Sequence, residues 1–435
     1  MAGNEKTNLP VSMNASISTA LRPQGASTGG GALSSKKLNI ALLCDSYLPM
    51  IDGVIMITDQ YAKMLSQKAN VFVAVPRVKK GYDDNQHPYK IIRCKSFKLF
   101  FIDYHCPRPN ADRRFKKFLK EADIDIIHIH SPFFIGKMGI KIAHEKNIPV
   151  VATMHSQFKQ DFKRAVKSSW LANILTHSII KTFNACDEVW AVNEGTQEIL
   201  KDYGYKKPAY VMRSGTDMLP QDKAASKKKI YETHGIDHQT PMLLFVGRIN
   251  LMKNILFIAD ALKILKDRGF DYKMIYIGSG QDTDSLAAHI KKLDLQDNVI
   301  LAGKIMDRVL LSKYYAAAAL TLFPSIYDTD GIVKYEGASQ HTPTVLIEGI
   351  TAAIDIEDGV NGYVSKPTAE DFAQKIKEIL TDPKTYAQVC ENVFNNLYKT
   401  WPERLNEIYD RYLYLIEQHK IKTSPAAAKT VNELN

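Results

Sequence analysis

The residues best equipped for chemistry fall in four short stretches. The first, YDTDGIVKYEG (327–337), carries Asp328 and Asp330 one residue apart, then Gly331, Ile332 and Val333, then Glu336. Carboxylates spaced Asp-x-Asp can hold a divalent ion against a diphosphate, because hard cations take oxygen ligands. The same tripeptide recurs at 282–284, so the spacing alone decides little. If Gly331 opens a helix, the first amides of that helix face a crevice and Asp328 lies on the loop outside it. Glu336 then sits a turn or more along, where it can accept from hydroxyl groups. The second stretch, VGRINLMKN (246–254), places Arg248 directly after Gly247, and Lys253 five residues later at the entry to a helix. Two cations beside helix amides suit a diphosphate, although Arg and Lys at helix starts are commonly just solvated.

The third stretch, DSYLPMIDGV (45–54), is a loop with Pro49 and Gly53, and a glycine's missing bulk lets backbone amides approach a ligand. It is not a Gly-x-Gly-x-x-Gly fingerprint, which argues against a nicotinamide cofactor. The fourth, IIHIH (126–130), ends on His130 just before Ser131-Pro132, with His128 at the same parity. A histidine at the carboxyl end of a buried strand points into the ligand crevice of a doubly wound domain.

These stretches need elements to position them. Compact apolar runs that end in polar turns, such as LNIALLCD (38–45), NVFVAVP (70–76), IDIIHIH (124–130), IPVVATMH (148–155), EVWAVN (188–193) and AYVMR (209–213), read as strands buried on both faces of a parallel sheet. Amphipathic segments of helical length, such as 136–146 and 195–203, lie between most of them. A polar linker, 215–229, follows, and the pattern restarts at MLLFVGR (242–248), YKMIYIG (272–278), VILAGK (299–304), LTLFPS (320–325) and TVLIEG (344–349). The expectation is α/β: two tandem Rossmann-like doubly wound domains, 37–215 and 216–400, facing each other across a crevice. A final helix, 401–419, with Trp401, Leu405, Ile408, Tyr412 and Leu415 at steps of three or four, joins the first domain. Residues 1–36 read as a flexible leader and 420–435 as a tail.

Bulk composition narrows the setting. With 435 residues and 45 % hydrophobic content, the chain can bury two cores. Its five cysteines show no paired spacing, so neither a disulfide framework nor a zinc site is expected, and a reducing cytoplasm fits. Apolar runs such as YYAAAALTLFP (314–324) fall short of the roughly 18–20 residues that cross a bilayer, and the N-terminus lacks a secretory apolar segment. Residues 37–220 carry 28 Lys and Arg against 18 Asp and Glu, whereas residues 221–435 carry 26 against 28. The basicity therefore belongs to the first half, where it would attract an anionic surface or ligand.

Taken together and in order, the motifs resemble the family-4 retaining glycosyltransferases of the GT-B fold, near the branch that glucosylates diacylglycerol. The resemblance covers about residues 38–419. It rests on the Glu-x7-Glu stretch, here Asp328 to Glu336, on Gly247-Arg248 with Lys253, on the glycine loop 49–54, and on the His-x-His-x-Pro strand end at 128–132. The segment DGVNGYV (358–364) and Thr400-Trp401 also match in place. Two departures stand out: Asp328 is one methylene shorter than the usual glutamate, and His341 replaces a usual glycine.

The resemblance implies sugar transfer from a nucleotide diphosphate sugar, UDP-glucose favoured, with retention of configuration and without a metal or other cofactor. Asp328 would hold sugar hydroxyls, Glu336 the ribose, Arg248 and Lys253 the diphosphate, and His130 the region of the reacting carbon. The nucleobase would lie near Gly278, Gly280, Lys304 and Ile305, with Gly53 and the amides of Gly331, Ile332 and Val333 at the crevice.

The acceptor would bind the basic first domain. RRFKKFLK (113–120) alternates cations (Arg113, Arg114, Lys116, Lys117) with aromatics, and 158–183 sets Phe158, Phe162, Val166, Trp170 and Ile174 at steps of four beside Lys163, Arg164 and Lys167. A basic amphipathic helix of this kind can lie in a lipid interface, which implies a peripheral protein on the inner face of a membrane with a lipid acceptor. A soluble saccharide acceptor and a binding scaffold without turnover stay open as alternatives, whereas nucleic acid would explain the charge but not the clamp.

Overall fold

Parity along the apolar runs decides which face of a sheet each side chain serves. In the first strand Ala41 and Leu43 join one core cluster while Ile40 and Leu42 join another, so the strand is covered on both sides. The computed structural model describes residues 37–50, 52–78, 82–98 and 105–424; the expected leader, 1–36, and the end of the expected tail, 425–435, lie outside them.

In the first domain the strands are β1 (Asn39–Leu43), β2 (Asn70–Pro76), β3 (Lys90–Cys94), β4 (Ser96–Lys98), β5 (His105–Pro107), β6 (Ile126–Ile129), β7 (Val150–Met154), β8 (Glu188–Ala191) and β9 (Tyr210–Val211). Seven form a parallel sheet in the order β3-β2-β1-β6-β7-β8-β9, and β4 and β5 make a separate antiparallel pair. In the second domain β10 (Met242–Val246), β11 (Lys273–Ile277), β12 (Val299–Gly303), β13 (Leu320–Leu322), β14 (Thr344–Ile347) and β15 (Tyr363–Ser365) form a parallel sheet in the order β12-β11-β10-β13-β14-β15. In both sheets the order reverses at a central strand, which is where an open α/β sheet leaves a ligand crevice at its carboxyl edge. The expected fold class is the observed one.

Three sequence expectations are corrected. Lys223–Lys229, expected as linker, begin the helix Lys223–His234, because Asp222 caps it by accepting from Ala225 N at 2.9 Å and Ile230 and Tyr231 pack against Leu311 and Tyr315. The stripe expected over 158–183 is two helices, Phe158–Val166 and Ser169–Asn184. Lys167 between them takes a left-handed conformation with φ 51°, and Ser168 caps the second helix. Strands β3, β4, β5 and β15 have no counterpart among the expected strands, being short or, for β3, half-buried and flanked by charge.

The chain crosses between the domains twice, and the two crossings touch. Thr216 N donates to Lys399 O at 3.0 Å and Trp401 N donates to Thr216 O at 3.2 Å. Beyond the second crossing, Thr400 and Glu403 form a capping box that opens the helix Trp401–Lys422. This helix buries Trp401, Leu405, Ile408, Tyr412, Leu415 and Ile416 on the first domain, against residues that include Ile40, Leu42 and Tyr61. Ile408 is 1 % exposed, so Ile408→Ala should remove about 2–5 kcal/mol of stability. The check is a lowered urea midpoint for the first domain; an unchanged midpoint would show that this helix does not anchor there.

Candidate active site

A cavity of about 420 Å³ lies between the two carboxyl edges, lined from the first domain by Asp52 to Val54, Ile57, His155 to Gln157, Asp161 and Val192, and from the second by residues of loops 246–253 and 323–333. Gly53 opens the helix Gly53–Leu65 behind its cap Asp52, whose Oδ1 accepts from Ile55 N at 2.9 Å. A Cβ on Gly53 would meet no protein atom within 4 Å, so this positive helix end faces open cavity.

On the opposite wall Asn250 caps the short turn Leu251–Lys253 and aims Lys253 inward. Lys253 Nζ reaches Asp328 Oδ1 at 2.6 Å and Oδ2 at 2.5 Å, and Ser325 Oγ also donates to Asp328. Both side chains stay partly accessible at the cavity. Arg248, on the same loop, is exposed and is not among the residues that line the cavity. Gly331, Ile332 and Val333 line the cavity as well.

Asp330 turns away from Asp328. Its Oδ2 accepts from Ser214 Oγ at 2.5 Å, and its Oδ1 from Tyr335 OH at 2.9 Å. Burial pushes its carboxyl up, against the pull of Lys334 and these hydrogen bonds. Lys334, 1 % exposed, donates to Asp355 Oδ1 at 2.5 Å and to Ala352 O at 2.8 Å. The two aspartates of the Asp-x-Asp stretch thus have separate partners, one a lysine across the cleft wall and the other a buried polar chain.

Glu336 differs from its expected position. It lies on the helix Val333–Ala338, 7 % exposed and off the cavity lining, where Arg308 Nη2 donates to its Oε1 at 2.8 Å and Tyr315 OH to its Oε2 at 2.7 Å. Arg308 also binds Asp217, and these carboxylates hold its guanidinium charge firmly against burial. Gly278 and Gly280 are likewise off the lining. A Cβ on Gly278 would lie 1.8 Å from Gly247 O, and one on Gly280 2.0 Å from Ile249 O, so their bareness lets two loops cross and shape the Lys253 loop. Lys304 is exposed and Ile305 half-buried near by in sequence, outside the cavity lining.

His130 is corrected by its surroundings. It is 2 % exposed and stacks between His128, with ring centroids 4.1 Å apart, and His155, at 5.2 Å. The imidazole at the cavity is His155, which follows β7 and which the sequence reading missed. The signal was present: ATMH ends a buried strand on a histidine, by the rule that singled out His130. Burial pushes His155 down to about 3 and His130 well below its usual range, so both rings are neutral near pH 7.

The family models match along most of the chain: Glycosyltransferase Family 4 over residues 51–218 and Glycosyl transferases group 1 over residues 226–395. This chain is a family-4 glycosyltransferase of the GT-B fold. Among curated relatives, the alpha-monoglucosyldiacylglycerol synthase of Streptococcus pneumoniae is 27 % identical over 71 % of this chain and 70 % of its own length. The enzyme of that name from Acholeplasma laidlawii is 22 % identical over 85 % of this chain and 100 % of its own. Among solved structures, HepE of Anabaena in complex with UDP aligns with a TM-score of 0.71 at 17 % identity, covering 86 % of this chain and 99 % of HepE. Sucrose-phosphate synthase of Thermosynechococcus elongatus aligns with a TM-score of 0.73 at 19 % identity, covering 88 % and 100 %.

The glycosyltransferase's basic surface separates into parts with different surroundings. In the helix Arg113–Glu121, Phe115 and Leu119 are core residues and Phe118 meets Phe72 edge to face, so the basic-aromatic alternation is that of a helix packed on its own domain. Its Arg113, Arg114 and Lys117 are exposed and Lys116 is half-buried. Arg164 is turned across the cleft: its guanidinium lies 4.5 Å from the Tyr327 ring centroid and donates to Met252 Sδ. Lys163 and Lys167 remain exposed, and beyond the break Trp170 is 74 % exposed beside exposed Leu171 and Ile174. Among the described residues no helix is long and apolar enough to cross a membrane.

The buried Lys334 yields a stability prediction for the enzyme. Lys334→Met leaves Asp355 and Asp330 without their cation, which should cost about 3–5 kcal/mol. Adding Asp355→Leu should recover part of that loss in urea unfolding; a single variant as stable as the parent would contradict the network.

Proposed function

We propose that the enzyme transfers glucose from UDP-glucose, with retention of configuration and without a metal, to the hydroxyl of a lipid of the diacylglycerol class at an anionic membrane surface. The observation that carries the reading is the cleft itself, with Lys253 held by Asp328 on one wall and the positive end of the helix Gly53–Leu65 on the other. Lys253 and Arg248 neutralise the departing diphosphate. Preorganised charge of that kind matters most in the transition state, and losing one such donor typically costs roughly 100- to 1000-fold in rate.

Asp328 accepts from sugar hydroxyls while keeping Lys253 in place. Glu336, braced by Arg308 and Tyr315 behind the lining, supports the helix Val333–Ala338 whose first residue borders the cavity, rather than lining the cavity itself. His155 takes the place near the reacting carbon expected of His130. A bridging metal is unnecessary because Asp328 and Asp330 already serve different partners. UDP bound to HepE supports the choice of nucleotide, and the names of the Streptococcus and Acholeplasma relatives support the sugar and the lipid.

For the membrane half, Trp170, Leu171 and Ile174 form an exposed apolar tip beside Lys163 and Lys167. Each cation near an anionic surface adds about 1 kcal/mol. The test is transfer of labelled glucose in EDTA to diacylglycerol in phosphatidylglycerol vesicles. The expected product is an α-glucosyl lipid, and Trp170→Ala should lose vesicle binding while keeping turnover on detergent-dispersed lipid. A strict need for Mg²⁺, a β product, or turnover on soluble saccharides alone would overturn the reading.

A further inference from the structure

One fully buried side chain, just past the carboxyl end of β8, serves both domains. Asn193 caps the helix Glu194–Asp202 of the first domain: its Oδ1 accepts from Thr196 N and from Thr196 Oγ1, each at 2.9 Å. Its Nδ2 donates to two carbonyls of the second domain, Thr329 O at 2.8 Å and Thr351 O at 3.3 Å. The orientation of the amide is fixed from both ends. A backbone N–H can only donate and a backbone carbonyl can only accept, so the oxygen must face Thr196 and the nitrogen must face Thr329 and Thr351.

Thr329 stands between Asp328 and Asp330. The amide therefore holds the peptide that sends one aspartate to Lys253 and the other to Ser214 and Tyr335. Thr351 opens the turn Thr351–Ala353, and the first domain meets it at two further points. Gln157 Nε2 donates to its Oγ1 at 3.0 Å, and a Cβ on Gly195 would lie 2.9 Å from its Cγ2, so a bare glycine lets the capped helix approach. From the second domain's side Lys334 joins the same two segments: it lies on the helix that follows Asp330 and donates to Ala352 O. Asn193 is not part of the cavity lining, so it acts on a ligand through Thr329, which is.

We propose that Asn193 is a positioning residue that spans the domains: its amide pins the peptide between Asp328 and Asp330 and thereby makes the geometry of the Lys253–Asp328 clamp depend on a closed cleft. Nucleotide affinity and closure are then one equilibrium, since the clamp is complete only where the amide reaches Thr329. The effect on a nucleotide rests on the glycosyltransferase reading above, but the span between the domains does not, so the two can fail separately.

The experiment is small-angle X-ray scattering of the parent, Asn193→Asp and Asn193→Ser, with and without UDP, together with the UDP dissociation constant of each by calorimetry. Asp and Ser cap a helix about as well as Asn, so both variants keep the helix start. A carboxylate cannot donate, and a serine hydroxyl is too short to span to Thr329. Using both separates a lost donor from an added negative charge, and thermal unfolding establishes that both are folded. Without ligand the parent should be as compact as with UDP, whereas both variants should be expanded and should recover the parental radius of gyration at saturating UDP. Their UDP dissociation constants should rise roughly 5- to 150-fold, the range of a typical coupling between sites.

Variants as compact as the parent without ligand overturn the proposal, as does a parent that is itself expanded without UDP. Expanded variants with parental UDP affinity remove the coupling to the clamp, and a loss confined to Asn193→Asp assigns the effect to charge and overturns the pin. Expanded variants of a protein whose parent binds no UDP would uphold the span and instead overturn the function assigned to the cleft.

Discussion

Lys253 and Asp328 approach each other from two loops, one after β10 and one after β13, and the cavity takes its chemical character from their meeting. The pair is partly exposed, with 22 % and 26 % of the side chains accessible, so its direct contribution to stability is small. Its value is geometric. A lysine alone on a loop is a long, flexible point charge. Held by both carboxylate oxygens and by the cap from Asn250, it becomes a cation at a defined place. The shorter aspartate suits that contact, since Ser325 and Lys253 both reach it within hydrogen-bond distance.

The first domain holds the same loop from the other side. Asn193 donates to Thr329 O at 2.8 Å, Ser214 to Asp330, and Arg164 lies over Tyr327. The two crossings at Thr216 and Trp401 stand side by side, so the domains share a paired hinge while their loops grip across the cleft. Closure of such a cleft excludes water and brings clamp and acceptor together, and opening it lets product leave. Lys334 is the buried end of this arrangement, tying Asp355 and the Asp330 network to the floor of the second domain.

The sheets were legible because a strand buried on both faces is an unbroken apolar run, as in NVFVAVP, which is β2 to the residue. Edge strands such as β3 mix lysine and arginine with half-buried isoleucines and lose that signal. The break at Lys167 was hidden because no glycine or proline marks it, and Ser168 alone carried the sign of a new helix. His341 illustrates the reverse case. It adopts φ 56°, a left-handed conformation that glycine takes at the least cost, and its ring stacks 4.2 Å from Phe394. Motif spacing found Lys253 and Asp328, but the neighbours that set the site, His155, Arg308, Tyr315 and Asn193, come from distant strands and helices, and only the fold brings them in.

The central claim is that a fixed cation on the second domain's wall receives a nucleotide diphosphate sugar without help from a metal. Thermal unfolding in EDTA against UDP-, GDP- and ADP-sugars, with the parent and Lys253→Ala, tests it most directly. A ligand at 100 times its dissociation constant adds roughly 2.7 kcal/mol to the folded state. The account predicts that UDP-glucose raises the parent's midpoint and that Lys253→Ala loses most of the shift. No shift with any sugar nucleotide, or an equal shift in the variant, would contradict it.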